Sequence, residues 1–255
     1  MARTGEGRMN QNTPANISRP RKRLAYVFKS DPHPTRFKNF DRTLITSGLW
    51  AELPTCAHAV LPVLVMFANA QGLLRMTVAQ LAAISGVDRF RTFPNGIDLI
   101  LKMGDDFPVK REMWRTRNGR LAYRYRLPNR ELQRGEIIPL RFAMFEGGNW
   151  AHLLLSARSL YMVMRAKGSP DIEDPDLEAD YNSREGMDKE AYAKRESELC
   201  HEPQSSLMWL AGIKKHDTFR DCIQSLVDCG LCDPYDEDTG SWRVYLTPNR
   251  FFPSV

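Results

Sequence analysis

Between Lys110 and Arg126 the chain carries Lys110, Arg111, Arg115, Arg117, Arg120, Arg124 and Arg126, interleaved with Trp114, Tyr123 and Tyr125. Guanidinium and ammonium groups at that density bind phosphate, and a nucleic-acid backbone is the ligand that engages them as a row, with a steep dependence on salt. Just upstream, Arg89, Arg91 and Asn95 supply directed donors of the kind that pair with guanine and adenine edges. A second, sparser set follows late in the chain: Lys214, Lys215, His216, Arg220 and Gln224, at spacings that share one helix face. The plain alternative for the first set is the solvated face of a half-buried sheet, with its aromatic residues in the core.

Motifs for covalent chemistry are missing. No G-x-x-x-x-G-K-[ST] run occurs, so nucleotide-driven strand separation is not expected of this chain. His33, His58, His152, His201 and His216 include no His-x-His pair, which removes the metal core of a rolling-circle nicking site. Cys229 and Cys232, with Cys222 and His216 upstream, resemble a zinc ligand list. Buried structural thiols on a helix account for them better. Asp105 and Asp106 fall at a helix end, where carboxylates are ordinary turn residues. The expectation is a protein that is not an enzyme and has no metal site or cofactor.

The 255 residues, 42% hydrophobic and 10% aromatic, suffice for two cores. The formal charge of +5 is small, but it is unevenly spread. Arg19, Arg21, Lys22 and Arg23 close a polar, basic arm over residues 1–35, expected to order on a polyanion or to act only as a solubilising tail. Residues 169–202 reverse the sign with Asp171, Glu173, Asp174, Asp176, Glu178 and Asp180. That acidic insertion reads as a loop, with a helix from Lys189 to Leu199. No apolar stretch is long enough to span a membrane, and the odd cysteine count suits a reducing compartment, so the expected location is cytoplasmic.

The chain also contains itself twice. Trp50-Ala51-Glu52-Leu53 recurs as Trp150-Ala151-His152-Leu153, and Ala57, Val60 and Val63 recur as Ala157, Leu160 and Val163. Farther on, Gly86, Arg89, Thr92-Phe93, Ile97 and Gly104 return as Gly212, Lys215, Thr218-Phe219, Ile223 and Gly230. The offset grows from 100 to 126 across the insertion. A pair of copies implies two domains rather than a solenoid.

Each copy has one order of elements. In the first, a helix starts at Thr55 or the residue before it and runs to Ala68, with Pro62 predicting a kink or a later start. Thr77 caps a short second helix, Ser85-Gly86-Val87 turns, and a third helix begins near Thr92 because of Pro94. Residues 109–127 then form a hairpin around Asn118-Gly119. In the second copy the helices run from Ser156 to Ala166, from a cap at Ser205 or Ser206, and from about Asp217 to Cys229. Its hairpin turns at Thr239-Gly240 and returns over Trp242 to Leu246. The fold class expected is α+β, mainly α: two tandem winged helix-turn-helix domains over residues 36–130 and 131–255. In the second hairpin Asp233, Asp236, Glu237 and Asp238 would repel phosphate, so that wing is expected to be lifted from DNA or turned to a protein partner.

Leu44-Ile45-Thr46-Ser47-Gly48-Leu49-Trp50-Ala51-Glu52-Leu53, with Leu81-Ala82-Ala83-Ile84-Ser85-Gly86, resembles the helix-turn-helix domain of replication-associated proteins from phages and plasmids. The doubling is similar to tandem winged-helix plasmid replication initiators. The resemblance spans roughly residues 36 to 250 as architecture and implies a sequence-specific binder of double-stranded DNA, a replication initiator of a plasmid, phage or mobile element. It implies a host helicase or loader as partner and leaves a homodimer open. A transcriptional regulator, or an interaction adaptor with degenerate winged helices, remains the alternative.

Overall fold

The structure, a computed structural model, describes residues 37–104, 109–115, 119, 121–127, 136–170, 197–236 and 239–248. The chain is mixed α and β. The first half runs β1 (Phe37–Asp41), α1 (Thr43–Thr46), α2 (Leu49–Glu52), α3 (Thr55–Phe67), α4 (Val78–Ile84), α5 (Thr92–Leu101), β2 (Lys110–Arg115) and β3 (Leu121–Arg126). The second half repeats the series as β4 (Ile137–Arg141), α6 (Phe142–Glu146), α7 (Asn149–His152), α8 (Leu155–Lys167), β5 (Ser169–Pro170), β6 (Ser197–Cys200), α9 (Gln204–Leu210), α10 (His216–Asp228), β7 (Cys232–Asp236) and β8 (Ser241–Tyr245). No helix among the described residues is long and apolar enough to cross a membrane.

Two of the 13-residue helices, α3 and α8, pack on each other at the centre. Both are buried nearly all round, as helices enclosed by neighbours must be. α3 begins at Thr55 and continues through Pro62, not after it. The proline lacks the N–H that would meet the carbonyl four residues back, a loss the surrounding apolar packing offsets.

Contacts between the halves come in reciprocal pairs, as an approximate two-fold axis requires. β1 pairs antiparallel with β4, Phe37 opposite Arg141 and Asp41 opposite Ile137, so the axis passes between Asn39 and Pro139. Trp50 Nε1 donates to Ser159 Oγ (2.8 Å), and Trp150 Nε1 donates to the Ala59 carbonyl (3.0 Å). Gly86 and Gly212 lie at the same step of the two copies with φ of +59° and +68°. A Cβ on Gly86 would stand 2.5 Å from the Ala151 carbonyl oxygen, and one on Gly212 would stand 2.9 Å from that of Ala51. Glycine is therefore required twice over, by backbone conformation and by the approach of the other half.

Local signals explain most of the boundaries. Thr77 and Gln80 form a reciprocal capping box at α4, Gln80 N–H to Thr77 Oγ1 at 3.2 Å and Thr77 N–H to Gln80 Oε1 at 2.9 Å. The equivalent helix α9 corrects the expectation of a serine cap. It starts at Gln204, because Pro203 at the cap already has a suitable φ of −57°, and Ser205 and Ser206 lie inside the first turn. Ser206 instead donates to the Glu202 carboxylate, which holds that group below its ordinary pKa.

The helix expected from Lys189 to Leu199 also needs correction at its end. Ser197 to Leu199 belong to β6, whose backbone pairs with β8 (Leu199 opposite Arg243) and with β5; the rest of that span lies outside the described residues. The ladder satisfies backbone groups that a helix there would leave facing an open sheet edge. In the first copy the single residues Leu73 and Leu74 make the same connection, bridging to Arg126 and Ala68. The acidic insertion thus departs from the edge strand β5 and returns on its neighbour β6.

Candidate nucleic-acid interface

The entry to α5 is built by Asp88. Its Oδ1 accepts the N–H groups of Phe90 (2.9 Å) and Arg91 (2.8 Å), and its carbonyl accepts Phe93 N–H at 2.9 Å. This turn fixes Arg89, Phe90 and Arg91 at the surface while Phe93 and Ile97 enter the core. From Arg91 the exposed positions recur at helical spacing as Asn95, Asp98 and Lys102. Arg91 and Asn95 therefore share one exposed stripe.

The adjoining hairpin divides its cations between two faces. Direct pairing places Lys110 opposite Arg126 and Glu112 opposite Arg124, so these four share one face. Glu112 lies between the two arginines, 2.9 Å from Arg124 Nε and 3.1 Å from Arg126 Nε. Arg111 and Arg115 alternate onto the other face with Met113, where Tyr125 is buried against the core. Arg111 reaches Asp98 on α5 at 3.1 Å, which ties the helix to the strand. Both partners are about half exposed, so solvent limits the bridge to a fraction of ~1 kcal/mol. Arg115 reaches the Gly119 carbonyl at 3.5 Å. Among the described residues, the expected row of cations is thus split between two faces, and Arg111 and Arg115 stand on the face nearer α5.

Among the described residues, no carboxylate engages Arg89 or Arg91; the guanidinium of Arg89 stacks over the Phe90 ring at 4.2 Å. Arg117 and Arg120 lie outside the described residues, as do the side chains of Trp114 and Tyr123 and the basic arm.

The second copy differs at each equivalent place. Lys214 and Lys215 are exposed before α10, but that helix then presents Asp217, Asp221 and Asp228. Arg220 is paired with Asp217, Gln224 Nε2 donates to Asp228 Oδ1 at 2.7 Å, and Gln204 Nε2 bonds His216 Nδ1 at 2.9 Å. On the hairpin, Asp233 Oδ2 accepts from Tyr245 (3.0 Å) and Asp236 Oδ2 from Thr239 (2.8 Å). Glu237 and Asp238 lie outside the described residues. The polar groups of this copy are largely engaged with one another.

The cysteines are free, and four of them, Cys200, Cys222, Cys229 and Cys232, are buried. Burial pushes the thiols of Cys200 and Cys229 up to about 11 and that of Cys222 to about 12, so they stay protonated and inert. Three features had no place in the sequence reading: the counter-charges Asp98 and Glu112, the exposed Phe90, and the strands β1 and β4. Asp98 had a signal, since it lies seven residues after Arg91 on the same stripe. No protein-family model, no curated protein and no solved structure matches the chain.

Proposed function

We propose that the chain is a sequence-specific double-stranded DNA-binding protein made of two tandem winged helix-turn-helix domains, and a replication initiator of a plasmid, phage or other mobile element. The observation that carries the DNA-binding reading is the surface of the first copy. Arg89, Arg91 and Asn95 are exposed at the start of α5 without a carboxylate partner, beside a strand that presents Arg111 and Arg115. A helix start with directed donors suits the major groove, and a cationic hairpin beside it suits the flanking phosphates. The doubling, and the resemblance of the Leu44 to Leu53 segment, favour an initiator over a transcriptional regulator. Strand opening would then fall to a host helicase or loader.

Fluorescence anisotropy against random and selected duplexes tests this directly. With about four phosphate contacts, log affinity should fall against log salt with a slope near −4, roughly a hundredfold between 50 and 200 mM. Weak binding indifferent to salt would overturn the reading and favour an interaction adaptor, for which the self-paired surface of the second copy is the supporting observation. An origin-activity assay separates an initiator from a regulator.

A further inference from the structure

We propose that Phe90 reads the 5-methyl group of thymine in the major groove and sets base preference at one step of the bound site; this rests on the DNA-binding reading above. Single exposed apolar side chains are common on protein surfaces and need no explanation. Phe90 differs in how it is held. At 75% exposure it is the most exposed large apolar side chain among the described residues. Its backbone N–H is tied to Asp88 Oδ1 at 2.9 Å, so the turn that starts α5 dictates where its side chain begins. The Arg89 guanidinium covers the ring at 4.2 Å from the centroid, joining cation and ring into one surface unit. Arg91 follows directly, with its own N–H on the same carboxylate oxygen at 2.8 Å.

Charge selects the partner. Arg89 and Arg91 on either side of the ring, with Arg115 on the neighbouring strand, make this an anion-seeking surface, unsuited to an apolar protein groove. On a duplex, the ring has no directed donor or acceptor for base edges. The apolar feature a major groove offers is the thymine methyl group, which apolar side chains contact. A guanidinium stacked on a ring still has its in-plane N–H groups free for a phosphate or a guanine edge. The unit Arg89-Phe90 can therefore hold the backbone and sense the methyl together. The second copy has His216 at the equivalent place, bonded to Gln204, and so lacks this apolar reader.

The experiment uses the full chain and a duplex selected by it from a randomised library, with each thymine replaced in turn by deoxyuridine, which lacks only the methyl. Wild-type protein should lose roughly fourfold in affinity at one or two positions, the scale of one buried methyl group. Phe90→Ala should bind the thymine duplex about as weakly as wild type binds the deoxyuridine one and should show no further loss there. Phe90→Leu should keep part of the discrimination. Each variant should retain the wild-type thermal unfolding midpoint, because the side chain is exposed. Salt-dependent binding with a flat deoxyuridine scan, or a scan that Phe90→Ala leaves unchanged, overturns the inference and spares the DNA-binding reading. So does enhanced 2-aminopurine fluorescence that depends on Phe90 without a methyl effect, which would make the ring a wedge between bases. Absence of binding overturns both.

Discussion

Position 58 and position 158 are the same place in the two copies, yet the first holds histidine and the second arginine. Both side chains are buried beside the copy's own tryptophan. His58 stacks on Trp50 with centroids 4.5 Å apart, and its Nε2–H donates to the Trp50 carbonyl at 2.7 Å. Arg158 donates from Nε and Nη2 to the Leu153 carbonyl (3.1 and 3.0 Å), from Nη2 to that of Ala151 (3.1 Å), and from Nη1 to that of Ser85 in the other half. Histidine thus closes contacts within its own copy, whereas arginine reaches across the axis to the turn that precedes Gly86. The duplication has been broken in its core as well as on its surface, and the arginine ties the turn before α5 to the opposite half.

The largest test of that difference is Arg158→Ala. Burial without a carboxylate pushes the guanidinium down to about 9, still charged at neutral pH, and its removal takes the donor from three carbonyls that belong to buried residues. A loss of about 3–5 kcal/mol in urea unfolding is expected. His58→Ala removes one such bond and should cost less, about 1–3 kcal/mol. Equal costs would show that the link across the axis is energetically no different from the local one.

Acid should separate the copies next. Burial drives His58 down to about 4 from an ordinary 6.5, and its Nδ1 is buried without a hydrogen-bond partner among the described residues. The folded state therefore takes up the proton later than the unfolded chain does. Below pH 6.5 the unfolded state gains the proton and the folded state does not, so stability declines as pH falls towards 4, by up to ~3 kcal/mol. His58→Gln should flatten the profile over that window. A profile with the same slope in that variant would assign the acid sensitivity elsewhere.

Outside the core the contrast is in free charge. Arg89→Glu with Arg91→Glu should weaken duplex binding by about 2 kcal/mol, roughly thirtyfold, across sequences. Lys214→Glu with Lys215→Glu should do less, because α10 itself also exposes the carboxylates of Asp217 and Asp221. A larger effect in the second copy would reverse the assignment of the leading contact surface.

These differences mark where sequence reading stops. Periodicity located both buried helices, and the Thr77 to Gln80 spacing located a cap, since both depend on neighbours a few residues away. The hairpin arginines were visible as a row, but the sorting of Lys110 and Arg111 onto opposite faces depends on strand register, and the pairing of Arg111 with Asp98 depends on packing. β1 and β4 carried no signal because each is completed by the other, about one hundred residues away. Arg158 had no place in the sequence reading; its three carbonyl acceptors, one from the other half, lie far from it in sequence or depend on how the helix packs.

The finest comparison is between the two tryptophan bonds, which are equivalent in position but end on different atoms. Trp50→Phe and Trp150→Phe remove nearly the same volume, so the difference between them reports the acceptor. Ser159 Oγ accepts from Trp50 and donates its own O–H to the Ala211 carbonyl at 2.9 Å, forming a short buried chain across the axis. The Ala59 carbonyl lies within α3 and keeps its place in the helix ladder when Trp150 is lost. Trp50→Phe should therefore be the costlier change by about 0.5–1 kcal/mol. In a Ser159→Ala background, where the second copy has the residue of the first, that margin should vanish in a double-mutant cycle. A margin that survives would place the asymmetry in the packing of the ring and not in its hydrogen bond.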